Sequence, residues 1–232
     1  MKFTFGIITG GDQEERINII IDSIESQNIP ADSYEILIVG KCNITRKNAT
    51  VVKFNESIKP LWITAKKNLI TYLAKFENIV YMHDYIALEP GWYQGFLQYG
   101  NDFKACMTKI LDYDNTRYND WMVWIFDTAN YYPEIVNNSE CLLPYDMDHL
   151  SKIMYFSGTY WVAKKEIMQE FPLDENRVWG QGEDVEWSYR YKQKYKFYIN
   201  PNSSVKIIKG KKGPGFKFPT EKTLSIFRNL NP

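Results

Sequence analysis

The first 83 residues alternate between short, nearly all-apolar runs and longer segments with helical spacing, and this order restricts the fold more than any other feature. Residues 3–9 (Phe-Thr-Phe-Gly-Ile-Ile-Thr) read as a buried strand that ends at Gly10-Gly11. Ile17, Ile20, Ile21 and Ile24 then recur on one helical face. Asp12 and Glu15 have the spacing of a capping box at the start of that helix. Residues 34–39 and 50–54 read as two further strands. Residues 62–76 read as a helix with Ala65, Leu69, Leu73 and Phe76 on its apolar side, and residues 78–82 as a fourth strand ending in His83-Asp84-Tyr85. Such alternation predicts an α/β fold, with a mostly parallel sheet flanked by helices. Ligands would bind at the carboxyl ends of its strands.

The second half is less periodic. Residues 104–111 read as a strand, and 112–150 as a polar-aromatic segment with no clean period. Residues 154–162 read as one strand containing Ser157-Gly158, followed by a helix from about Lys164. Two short strands are expected near 197–199 and 205–208. The expected organisation is a single domain spanning 1–232, with a first half over 3–111, a second over 112–208 and a flexible basic tail over 209–232.

Composition excludes several classes. Lys+Arg and Asp+Glu both number 28, so the chain lacks the basic balance of a nucleic-acid binder. Three cysteines, Cys42, Cys106 and Cys141, are odd in number and imply no disulfide framework. No apolar run is long enough to cross a bilayer, and the opening residues lack the pattern of a signal peptide. A cytoplasmic location is therefore the expectation.

Residues 179–187, Trp-Gly-Gln-Gly-Glu-Asp-Val-Glu-Trp, carry the densest chemistry. Two glycines leave the backbone open, and Glu183 and Asp184 then fall where a loop enters a helix, a place that favours negative charge. A hydroxyl compound stacked on Trp179 or Trp187, close to Gly182, would meet a carboxylate able to take its proton. An acidic helix start behind a glycine turn is the bland reading of the same residues.

In order and spacing these parts resemble the inverting nucleotide-sugar glycosyltransferases of the GT-A fold, glycosyltransferase family 2 in particular. Four features carry the resemblance: the Thr9-Gly10-Gly11 turn, the Lys66-Lys67-Asn68 helix before a strand, that strand's end at 82–85, and the acidic stretch at 179–187. The last also looks like the Trp-Gly-x-Gly-x-Glu-Asp run of galactosyltransferases. The resemblance implies a nucleoside-diphosphate-sugar donor, expected to be UDP-linked, and a glycan or other hydroxyl acceptor. It also implies a Mn²⁺ or Mg²⁺ ion on the leaving diphosphate.

Carried over residue by residue, Asp184 is the base and Glu183 orients the acceptor, with the two roles open to exchange. Asp84 would bind the metal, with His83 beside it, although the family's Asp-x-Asp pair is here a single carboxylate. Thr9, Gly10, Gly11 and Gly40 would meet the nucleotide, Lys67 and Asn68 the diphosphate, and Ser157-Gly158 the donor sugar. Trp179, Gly182 and Trp187 would face the acceptor. Gly40-Lys41 stands where the family often places an acidic reader of the base. Two literal Asp-x-Asp triplets, at 112–114 and 146–148, read as solvated loop carboxylates; the second, next to His149, is the fallback metal site. Lys209, Lys211 and Lys212 are candidates to close over the diphosphate.

Two other readings use the same residues. A module that kept the fold and binds nucleotide or glycan without catalysis would explain the reduced metal motif. A dinucleotide-dependent oxidoreductase would need G-x-G-x-x-G spacing after the first strand, which Gly10-Gly11 lacks.

Overall fold

A computed structural model describes residues 1–123, 140–210 and 216–230. The first half builds β1 (Phe3–Ile8), α1 (Glu14–Glu25), β2 (Tyr34–Val39), β3 (Ala49–Val52), α2 (Ile63–Leu73), β4 (Asn78–His83), β5 (Ile86–Leu88) and α3 (Trp92–Tyr99). The second half contributes β6 (Ala105–Leu111), β7 (Trp121–Val123), a 3-10 helix (Asp148–Ile153), β8 (Met154–Phe156), β9 (Tyr160–Lys164), α4 (Lys165–Glu170), α5 (Glu183–Lys192), β10 (Tyr198–Ile207) and α6 (Glu221–Asn229).

Eight strands form one sheet in the order β3-β2-β1-β4-β9-β6-β10-β5, and β7 pairs with β8 in a separate ribbon. The pairs β1–β2, β2–β3, β1–β4 and β6–β10 are parallel. β9 runs antiparallel between β4 and β6, and β5 closes the edge antiparallel to β10. The sheet is therefore mixed but mostly parallel, as the alternation predicts. The reversal at β9 matters for function, because it sets the start of β9 beside the carboxyl end of β4. His83 N–H reaches the carbonyl of Thr159 there at 3.4 Å.

Several local expectations change. The capping box does not form: Asp12 has φ 57°, Gln13 is the N-cap and no side chain caps the helix, while Glu14 and Glu15 occupy its first turn. α2 turns a different face inward from the one expected. It buries Ile63, Thr64, Ala65, Lys66, Lys67, Ile70 and Thr71, and Leu73 is exposed. Gly6 permits that close packing, since a Cβ there would overlap the Ile70 side chain. The expected strand over 154–162 is broken by a turn at Ser157-Gly158-Thr159, and the two late strands are one, β10, irregular between Asn200 and Ser204.

The C-terminal segment also departs from expectation, since residues 221–229 are helical rather than a flexible tail. Thr220 caps α6 by accepting from Thr223 N–H at 3.4 Å. The Glu140 carboxylate holds that cap, accepting from the Thr220 N–H at 3.1 Å and the Thr223 hydroxyl at 2.5 Å. Leu224 and Phe227 are buried, the apolar face by which α6 docks. Among the described residues, no helix is long and apolar enough to cross a membrane.

Candidate active site

The carboxyl ends of β1 and β4 lie side by side, with Ile8 in register with His83. The next residue on each strand meets the other: Thr9 Oγ1 donates to Asp84 Oδ2 at 2.7 Å, and the Gly11 N–H turns back onto Thr9 Oγ1 at 3.1 Å. Thr9, Gly10, Lys66, His83, Asp84 and Trp179 line a cavity of about 310 Å³ above these ends. Lys66, buried on α2, donates to the Thr9 carbonyl at 2.7 Å and pairs with Glu56. Glu56 also borders a second cavity, of about 400 Å³, which runs along Gly40, Lys41, Lys53 and Phe54. Gly40 has φ 143°, and a Cβ would overlap the Thr9 carbonyl, so the ends of β1 and β2 approach closely only with glycine here.

On the other side of His83, a cleft of about 270 Å³ is lined by Ser157, Gly158, Trp179, Gly182, Glu183 and Asp184, with Tyr85, Tyr118, Asn119 and Tyr155 around it. His83 and Trp179 line both this cleft and the Asp84 cavity. Asp84 and the Glu183-Asp184 pair therefore open onto adjoining spaces, although a hundred residues separate them in sequence.

The acidic pair is held by Gly158. Its N–H donates to Asp184 Oδ2 at 2.6 Å, and its carbonyl accepts from Lys67 Nζ at 2.8 Å. Asp184 Oδ1 also accepts from the Val185 N–H at 2.8 Å, so backbone fixes both carboxylate oxygens. Lys67 is 1% exposed; its ammonium lies 3.9 Å from Glu183 Oε1 and 4.4 Å from the centre of the Trp161 ring. Burial pulls the Lys67 pKa down, against the upward pull of Glu183 and Asp184. Burial likewise raises the Glu183 carboxyl above its ordinary range, opposed by Lys67 and assisted by Asp184. Desolvation thus acts on Glu183 against the negative charge that a helix start favours. Burial, with help from Lys67 and Lys209, holds the His83 pKa well below its usual value, so its imidazole is neutral.

Three expected contacts are relocated. Trp187 is buried in the core rather than facing an acceptor: it stacks on Tyr191 at 5.0 Å and donates from Nε1 to the Phe171 carbonyl. Asn68 grips a loop rather than a diphosphate, donating to the Leu173 carbonyl at 2.9 Å and accepting from the Leu173 N–H at 3.0 Å. Lys67 faces the protein interior beneath Gly158. Trp179, by contrast, is 59% exposed at the cleft rim.

Asp112 is 2% exposed, contrary to the solvated loop expected of it. His149 bonds to the Phe227 carbonyl, which ties the fallback site to α6. Lys209 Nζ lies 3.6 Å from the centre of the Tyr85 ring. Lys211, Lys212 and three aromatics of the polar-aromatic segment (Trp124, Tyr131 and Tyr132) lie outside the described residues. Sequence reasoning missed Tyr85 and Tyr155 as lining residues, and Tyr118 comes from the 112–150 segment expected to offer an aromatic to a sugar ring.

Among the described residues no cluster of three or more His, Cys, Asp or Glu side chains forms a metal cage. A cation shared with a diphosphate does not require one, because phosphate and water oxygens supply the remaining ligands. Asp84 offers a carboxylate at the cavity wall and neutral His83 an imidazole lone pair, a donor set suited to Mn²⁺.

The strand order and its flanking helices are those of a GT-A glycosyltransferase fold. The backbone is similar to the crystal structure of GalNAc-T7 with UDP, GalNAc and Mn²⁺, with TM-score 0.60 and 14% identity over 90% of this chain and 44% of that one. It is also similar to S. aureus TarS, with TM-score 0.60 and 11% identity over 90% of this chain and 37% of that one. TarS 1-349 in complex with UDP gives TM-score 0.58 and 11% identity over 89% and 61%. The chain spans less than half the length of the first two. No protein-family model and no curated protein matches the sequence.

Proposed function

We propose that the protein is an inverting, metal-dependent glycosyltransferase of the family 2 type, moving a sugar from a nucleoside-diphosphate donor, expected to be UDP-linked, to a hydroxyl acceptor. The observation that carries this reading is the pair of adjoining spaces joined at His83 and Trp179, one holding Asp84 and the other Asp184. The nucleotide lies along Gly40 and the Thr9-Gly10 turn, its diphosphate reaches Asp84, and its sugar extends past His83 towards Ser157-Gly158. UDP in the solved structures of GalNAc-T7 and TarS, which share this fold, supports a nucleotide as ligand.

The acceptor oxygen forms a bond to the anomeric carbon as the bond to the diphosphate breaks on the opposite face. Asp184 takes the acceptor proton, and a single displacement inverts the centre. Each Asp184 oxygen accepts one backbone N–H and keeps a second lone pair for this transfer. Glu183, deeper in the wall, accepts a hydrogen bond from the acceptor and orients it. Asp84 and His83 would hold Mn²⁺ or Mg²⁺, which when bound supplies Lewis-acid neutralisation of the departing diphosphate.

A binding module without transfer is the second reading, favoured by the lone Asp84 carboxylate and by Gly40-Lys41 at the base end. A thermal-shift screen of nucleoside diphosphates and their sugars, with and without Mn²⁺, tests the transferase reading. Stabilisation by a nucleotide sugar that depends on Mn²⁺ is expected, and no response to any nucleotide would refute that reading and leave a glycan-binding module.

A further inference from the structure

Charge is divided unevenly along the three neighbouring spaces. The two at the nucleotide end set lysines beside their carboxylates, Lys66 with Glu56 and Asp84 in one and Lys41 and Lys53 with Glu56 in the other. In the cleft beyond His83 no Lys or Arg is among the described lining residues, while Glu183 and Asp184 both are. Lys67 balances one of these carboxylates from beneath but is buried and turned to the Gly158 carbonyl, so it offers nothing to a ligand. Lys209 lies against the Tyr85 ring face.

The rest of the wall suits an uncharged ring. Trp179 presents an exposed indole, and Tyr85, Tyr118, Tyr155 and Asn119 add hydroxyl and amide groups. Burial raises the Tyr118 and Tyr155 phenols, so both remain neutral. Aromatic faces cover the C–H faces of a sugar while phenols and amides exchange hydrogen bonds with its hydroxyls.

We propose that this cleft takes uncharged saccharide rings and rejects rings that carry a carboxylate or phosphate. The inference rests on the glycosyltransferase reading and narrows it, applying to the transferred sugar and the accepting one alike. An anionic ring would place a further negative charge beside Asp184 with no Lys or Arg among the described lining residues to receive it, any cation on Asp84 and His83 being shared with the diphosphate, and like-charge juxtaposition in such a site is strongly disfavoured.

The test uses the ¹⁵N-labelled protein with UDP and Mn²⁺ and follows the Trp179 indole N–H signal, assigned by its loss in Trp179→Phe. Glucose, galactose and N-acetylglucosamine are titrated against glucuronate, galacturonate and glucose 6-phosphate. At least one neutral sugar is expected to move the signal, with the matched anionic ring at least about tenfold weaker. Asn119→Lys, which adds a cation to the lining, is expected to erase that difference. Equal or tighter binding of the anionic rings would overturn the proposal, as would a signal that no sugar moves. Calorimetry of UDP on the same sample keeps the two levels separate. Absent UDP binding counts against the transferase reading, whereas intact UDP binding with anion preference counts against this inference alone.

Discussion

The Gly158 N–H donates to Asp184 Oδ2 at 2.6 Å while Lys67 Nζ donates to the carbonyl of the same glycine at 2.8 Å. One residue of the turn before β9 thus links the acidic end of a late helix to a buried cation on an early one. A Cβ at position 158 would lie 2.8 Å from Glu183 Oε1 and 3.0 Å from Asp184 Oδ2. Both are closer than carbon and carboxylate oxygen tolerate, and a methyl has no polar atom with which to replace the lost fit. Gly158→Ala is therefore expected to cost about 1–3 kcal/mol in denaturant unfolding and to lower sugar transfer by more than that loss of folded protein explains. Wild-type turnover in Gly158→Ala would show that the pair does not need this turn.

Lys67 and Glu183 make stability depend on pH in a stated direction. Burial raises the Glu183 carboxyl above its ordinary value of 4.5. Between that value and the raised one, the folded protein keeps a proton that the unfolded chain has lost. The stabilisation from this proton is complete at low pH and fades as pH rises through the window. Glu183→Gln should remove the slope when unfolding free energy is followed from pH 4 upward. Lys67→Met, by deleting the opposing cation, should move it to higher pH and destabilise the fold by about 3 kcal/mol at neutral pH. Identical profiles for wild type and Glu183→Gln would contradict the buried-carboxylate assignment.

The parallel core of the fold was readable in the chain because Val, Ile and Phe runs and the Ile17–Ile24 periodicity are local signals. The reversed strand β9 was not readable, since Tyr160–Lys164 is equally apolar in either direction and only the sheet fixes it. Trp187 shows the limit for site residues. The Trp-Gly-x-Gly-x-Glu-Asp spacing attracts attention to both tryptophans, but one lies before the helix and is exposed while the other lies a turn into it and faces the core. Lys67, expected at the diphosphate, is buried, and so is Lys66 beside it. Adjacent buried lysines on a helix are rare, and their partners Thr9, Glu56, Gly158 and Glu183 are distant in sequence. The α6 signal was present in Thr220 and the spacing of Leu224 and Phe227, but the basic Gly-Pro run before it suggested a tail.

Asp84 has one oxygen committed to Thr9 and a carboxylate at the cavity wall. If it carries the cation, Asp84→Ala should abolish the part of UDP affinity that depends on Mn²⁺, about tenfold or 1.4 kcal/mol. Affinity measured in chelator should change little. Calorimetry of both proteins in the two conditions checks this, and an undiminished Mn²⁺ response in the variant would assign the metal elsewhere.

Asp184→Asn removes the proposed base while its amide oxygen can still accept a backbone N–H, so the fold and the nucleotide site should persist. The measurement that decides is sugar transfer alongside UDP binding in this single variant. A fall in transfer of about 10²–10⁴-fold with UDP affinity unchanged is the expected result. Transfer at the wild-type rate would contradict the role of Asp184, and with it the proposed reaction.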